Sequence, residues 1–270
     1  IQLFQTQTDM QQMIQNRMKK IEEIQHSVEL RKMYSSLCSR PHTKNWTEIS
    51  IDSDVDVFPL HRALTQLKKT HETLLEKLCQ TGLDWAQKFA VDVTLDPDTA
   101  NPYLILSGDG KQVSRGNIKQ DVPENPKRFD NTCVLAKEGF SSGRFYYEVE
   151  VKGKTEWSLG VVKESVQRKG DIIPKPEDGI WIMILMIQSQ FIAFDNLSVT
   201  FSHTKTPEKV GVFVDYEEGL VSFYDVGSRS HIYSFTGQTF TDKLYPYFNP
   251  CDNDKAKNSN SLIISPVSSN

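Results

Sequence analysis

The apolar positions of this chain keep two rhythms, one helical and one of period two. Leu3, Met10, Ile14, Ile21, Ile24 and Val28 follow a three-and-four spacing, interrupted at Gln7 and Arg17, in a stretch rich in Gln, Lys and Glu. That spacing predicts a helical seam in need of a partner over 1–38. Ser39-Arg40-Pro41-His42 breaks the helix, and 39–57 reads as a linker with an acidic run at Asp52, Asp54 and Asp56. A second helix over 58–88 begins near Phe58 or Pro59, because a proline in the first turn gives up an N–H that has no helical partner anyway. Leu60, Leu64, Leu67, His71, Leu74 and Leu78 form its stripe, and Lys68, Lys69, Glu72, Glu76 and Lys77 cover the other face. His71 has no second ligand type at i±4 and reads as a packed imidazole. Gly82 is placed at the helix end, with Leu83, Trp85 and Phe89 as an apolar hinge. Periodicity does not name what a stripe packs against. Ile14, Ile21, Val28, Leu60, Leu64, Leu67, Leu74 and Leu78 either pair between two copies of the chain, which is the favoured expectation, or form buried faces within one copy.

From Val91 onward apolar and polar residues alternate, as they do along half-buried strands. Val91, Val93 and Leu95 alternate with Asp92, Thr94 and Asp96; Tyr147, Val149 and Val151 point one way, Tyr146, Glu148 and Glu150 the other. Ser107-Gly108-Asp109-Gly110 and Glu217-Glu218-Gly219 are the turns of hairpins. No helix follows the first of these, so its glycines predict a turn and not a phosphate cradle. Many short strands punctuated this way predict an all-β sandwich over 89–270, a scaffold that binds through its loops.

Charge and composition narrow the picture only modestly. A net charge of −4 over 270 residues names no polyanion partner, so no nucleic acid is expected. The longest apolar run, 179–187, is far shorter than the roughly 18 residues that span a bilayer, and no membrane partner is expected. No basic-then-apolar signal segment opens the chain, and because it begins at Ile1 and not Met an upstream part is expected to have been removed. Cys38, Cys79, Cys133 and Cys251 have neither a disulfide framework nor a metal-ligand rhythm, which fits a reduced, cytoplasmic setting. The tripeptides at Asn45 and Asn196 match a glycosylation pattern that chance produces often.

Several blocks carry a resemblance. Leu95-Asp96-Pro97, Tyr147-Glu148-Val149-Glu150 and Val214-Asp215-Tyr216-Glu217 resemble, in order, three signature blocks of the PRY-SPRY domain that ends many tripartite-motif (TRIM) proteins. Phe140-Ser141-Ser142-Gly143, Gly179-Ile180-Trp181, Val221-Ser222-Phe223-Tyr224 and Pro246-Tyr247-Phe248-Asn249-Pro250 support it, over about 89–267. Segment 43–50 looks like the linker of the fish-expanded TRIM group. Tyr147 stands where the family usually has Trp and Val214 where it has Leu, and the long central helix of the family is missing between about Leu30 and Ser35. The resemblance implies a mainly β, bent antiparallel, concanavalin-like sandwich preceded by α-helical coiled-coil segments. It also implies a parent that is a RING-type E3 ubiquitin ligase of innate immunity or protein turnover, with this part choosing its targets. The family's RING and B-box zinc modules need close Cys/His pairs that this chain lacks, so no cofactor is expected here and zinc only in those modules.

No catalytic constellation accompanies the carboxylates Glu148, Glu150, Asp215 and Glu217, which read as surface or structural groups, so a non-catalytic chain is expected. The long connections 109–130, 152–157, 167–178, 188–203 and 249–260 are the candidate binding loops. The resemblance places Ile184 and Met186 where relatives present pocket aromatics, bordered by Trp157, Arg168, Lys169, Phe191 and Asp252, with Asp109 and Lys154 in neighbouring loops. An aliphatic floor favours a protein partner over a stacked sugar or base. Alternation alone leaves open whether Ile184 and Met186 are core. A carbohydrate-binding lectin and a scaffold without a ligand of its own are the alternatives.

Overall fold

The computed structural model describes residues 66, 69, 82–170, 173–186, 190–194, 198–202, 206–252 and 258–267, with 198–202 described by backbone alone. The chain divides into two units, Ile1–Leu78 and Cys79–Asn270. Of the first, Gln66 and Lys69 are helical and exposed. The seam positions Ile14, Ile21, Val28, Leu60, Leu64, Leu67, Leu74 and Leu78 lie outside the described residues.

The second unit is an antiparallel sandwich. Sheet one runs in the order β1 (Leu104–Leu106), β2 (Gln112–Arg115), β13 (Leu262–Ser265), β4 (Arg144–Glu150), β9 (Lys209–Asp215), β10 (Leu220–Asp225), β11 (Ser230–Phe235). Sheet two runs β3 (Val134–Leu135), β12 (Leu244–Asn249), β5 (Trp157–Lys163), β6 (Ile180–Met186), β7 (Gln190–Phe194), β8 (Ser198–Ser202). Alternation decides which residues meet between the sheets. Phe145, Tyr147 and Val149 of β4 and Val210, Val212 and Val214 of β9 face Trp157, Leu159 and Val161 of β5 and Trp181, Met183 and Leu185 of β6 in one apolar core. The turn at 107–110 forms as expected, with Gly110 N donating to Ser107 O at 2.9 Å between β1 and β2.

Sheet one is buried on its outer face too, which alternation did not foretell. Residues 82–87 are helical and lie in the sandwich's unit, upstream of the boundary expected at 89. Leu83 and Ala86 are wholly buried, and the Trp85 and Phe89 rings stand 5.2 and 6.0 Å from Phe213 of β9. Gly82 is therefore helical and does not end the helix. The stop comes at 88–89, where Lys88 N and Phe89 N donate to the carbonyls of Trp85 and Ala86, three residues back. Under this cover Glu148 is buried and accepts bonds from Tyr146 Oη and Gln87 Nε2, each at 2.9 Å, with Lys209 Nζ 3.4 Å away. Asp215 is likewise buried, bonded by Arg144 Nε at 2.6 Å. Both carboxylates tie the sheet together, as buried charges must be paired to persist.

Candidate functional site

No helix among the described residues lies over the outer face of sheet two. Here the residues of opposite parity to the core meet in cross-strand rows. Asn249, Ser158, Ile184 and Ile192 align across β12, β5, β6 and β7; Tyr247, Gly160 and Ile182 form the next row, and Tyr245, Val162 and Ile180 the one after. Gly160 places no side chain between Tyr247 and Ile182. Its φ of 151° and the approach of β6 leave room for none: a Cβ would lie 2.2 Å from Trp181 O. From within the core, Tyr147 Oη donates to Gly160 O at 2.6 Å and holds the strand there.

A hollow of about 180 Å³ opens on this face. Val162, Val166, Pro174, Ile180, Ile182 and Ile184 make its aliphatic wall. Asn131, Thr132, Ser158, Tyr247 and Asn249 give it a polar end, and Phe129 closes the side. Phe129 and Cys133 are packed with Leu135, Val162, Ile180 and Tyr247 in a satellite core, so the connection that carries them is anchored. Beyond the wall stand two exposed apolar side chains, Ile173 at 62 % and Met186 at 46 %. The Arg168 guanidinium lies 5.2 Å over the Phe129 ring, its Nη1 donating to Lys127 O at 2.9 Å. Lys169 pairs with Asp130 at 3.2 Å, and Gly170 N with Lys169 holds the Asp130 carboxyl below its usual range. Burial pushes the Cys133 thiol up to about 12 and the Cys251 thiol to about 11, so neither is a thiolate nucleophile near neutral pH. Among the described residues no three His, Cys, Asp or Glu stand together to hold a metal ion.

The expected site residues divide. Ile184 lines the hollow, Met186 follows it on the same outward face of β6, and Arg168 and Lys169 stand beside it. Trp157 and Phe191 do not belong to the surface. Both are wholly buried, sharing the inward parity of Leu159 and Ala193, with their rings 6.0 Å apart edge to face. Lys154 is 4 % exposed and ties two connections, its Nζ donating to the carbonyls of Asn258 at 3.1 Å and Asn260 at 2.9 Å. Burial lowers its amine to about 8. Asp109 works within its own turn, accepting from Ser107 Oγ and Lys111 N, and those bonds hold its carboxyl below the usual range. Asp252 lies 2.9 Å from Arg115 Nε of sheet one and does not line the hollow. Ser158, Tyr247, Asn249 and Phe129 were not among the expected site residues. Parity on β5 and β12 could have marked the first three; nothing local marks Phe129.

Among the described residues the sandwich thus presents one anchored outer face with an aliphatic hollow in it. Residues 93–140 match the family described as the SPRY-associated domain and 144–261 the SPRY domain. The chain belongs to the family of proteins that carry a PRY-SPRY domain, a protein-interaction module. Among relatives, it is 46% identical over 167 residues to E3 ubiquitin-protein ligase TRIM58 of Mus musculus, covering 62% of this chain and 34% of that protein. It is 43% identical over 208 residues to Erythroid membrane-associated protein of Mus musculus, covering 76% and 36%, and 44% identical over 183 residues to Pyrin of Homo sapiens, covering 67% and 23%. The chain thus spans well under half the length of these relatives. The fold superposes on the TRIM65 PSpry domain with a TM-score of 0.58 at 19% identity, covering 67% of this chain and 93% of that one. Stonustoxin gives a TM-score of 0.55 at 27% identity, covering 66% and 29%.

Proposed function

We propose that this chain is the target-binding part of a TRIM-type E3 ubiquitin ligase, and that its protein target docks on the outer face of sheet two. The observation that carries the docking site is the hollow beside two exposed apolar side chains, Ile173 and Met186, on a sheet whose other face is wholly committed to the core. The aromatic residues among the described lining of the hollow, Phe129 and Tyr247, are buried at 1 % and 9 %, so that lining presents no exposed aromatic platform to a sugar ring, and the lectin reading has less support. Support for the ligase parent comes from relatives named as E3 ubiquitin-protein ligases, TRIM58 and TRIM69. A cytoplasmic role in innate immunity and pairing of two copies through the Leu60 to Leu78 stripe complete the reading; two linked surfaces would raise avidity for a repeated epitope.

Selection of peptides from a random display library against the full chain tests the docking site. Selected peptides are expected to bind Met186→Glu and Ile184→Asp at least tenfold more weakly than the parent chain, the loss typical of a buried contact at an interface centre. Undiminished binding to both variants would place the interaction surface elsewhere.

A further inference from the structure

We propose that the hollow receives one tyrosine side chain of the protein target, ring against the isoleucine wall and hydroxyl against Ser158; the inference rests on the docking site proposed above. Size is the first argument. A volume of about 180 Å³ suits a single ring, since an apolar cavity of roughly 150 Å³ accommodates benzene.

Charge is the second. None of the described residues that line the hollow is charged, so among them an ionised group would find no counter-charge on leaving water. The basic groups alongside are already engaged: Arg168 with the carbonyls of Lys127 and Glu164, Lys169 with Asp130. The guest is therefore uncharged.

The third argument separates tyrosine from phenylalanine or leucine. Ser158 is 4 % exposed and lines the polar end. Among the described residues its hydroxyl has only a contact with Cys251 Sγ at 4.0 Å, the outer limit for sulfur. The neighbouring Asn249 Oδ1 already accepts from Thr132 Oγ1 at 3.2 Å and from Cys251 N at 2.8 Å. Ser158 is thus a buried donor and acceptor that borders the hollow and is held there only by one long sulfur contact, and such a group gains most from a guest that bonds it. A phenol fits both ends at once, apolar along its body and hydrogen-bonding at its tip.

The probes are p-cresol, toluene and p-cresyl phosphate, titrated into the full chain with labelled isoleucine methyl groups. Saturable shifts of the Ile180, Ile182 and Ile184 methyls are expected with p-cresol, about three- to tenfold weaker binding with toluene, as one net hydrogen bond implies, and none with p-cresyl phosphate. Ser158→Ala should bring p-cresol to the affinity of toluene, and Ile184→Phe, which fills the hollow from a half-buried strand position, should abolish both. Equal affinities of toluene and p-cresol, preference for the phosphate, indifference to Ser158→Ala, or no shift with any probe would each overturn the proposal. The docking site itself would survive any of these if selected peptides still depended on Met186, so the two failures are separable.

Discussion

His231 on β11 sets its Nε2 2.6 Å from Ser234 Oγ and its ring edge to face with Tyr224 at 5.6 Å. Burial is the main cause that pushes its imidazole down from 6.5 to about 4. The unfolded chain therefore takes up a proton near pH 6.5 that the folded chain refuses until about 4. The stability tied to this residue is fully present above pH 6.5 and is lost as pH falls toward 4. Asp109, Asp130 and Asp242 are held below 3.8 by their hydrogen bonds and titrate beneath that window. Urea midpoints measured from pH 7 to pH 4 should fall more steeply for the parent chain than for His231→Gln; parallel slopes would refute the assignment. Residues such as this show where local reading stops. His231 sits in a strand of mixed polarity, and only its neighbour Tyr224 on β10 reveals that its ring is half-buried.

At the scale of elements, the short helix at 82–87 acts as the cover of sheet one. Trp85 packs edge to face on Phe89 at 4.9 Å and on Phe213 at 5.2 Å, while the Arg144 guanidinium lies 5.3 Å from its ring and bonds Asp215. Removing the indole should open a void over Phe213 and loosen the Arg144 and Asp215 pair. Trp85→Ala is expected to lower stability by about 2–4 kcal/mol, read from chemical denaturation, in the range of large-to-small changes in a core. An unchanged midpoint would mean that the sandwich is complete without the helix, and that it can be cut at 93, where the family match begins. The strands themselves were legible in advance because a period of two is a local property: Tyr147, Val149 and Val151 were expected to share one face, and they lie together in the core. Leu83, Trp85 and Phe89 were expected to be an apolar hinge after the upstream helix. The role of the short helix as a lid was hidden because the residues it covers, Tyr146 and Phe213, lie far along the chain.

For the whole molecule, the open question is how many recognition surfaces one particle carries. If the Leu60 to Leu78 stripe joins two copies, light scattering on the full chain should give twice the mass of one chain, and Leu64→Glu with Leu74→Glu should return a folded monomer. A parent chain of single mass would instead make the stripe an intramolecular packing face and leave one surface per particle. The outcome matters because linked sites raise apparent affinity by a local concentration that a lone sandwich lacks.

Sequence alone determined the antiparallel β architecture and the turns at 107–110 and 217–219, because alternation and turn chemistry act over a few residues. It did not determine which apolar residues a partner can reach. Trp157, Phe191 and Ile184 are equally apolar, yet two face the other sheet and one faces out; parity separates them only once the face of each sheet that packs is known. Likewise Lys154 reads as a free loop cation until Asn258 and Asn260, over a hundred positions on, bring their carbonyls to it. The hollow is the extreme case. It exists where Phe129, Gly160, Ile182 and Tyr247 converge from four segments, and only the tertiary fold brings those segments together.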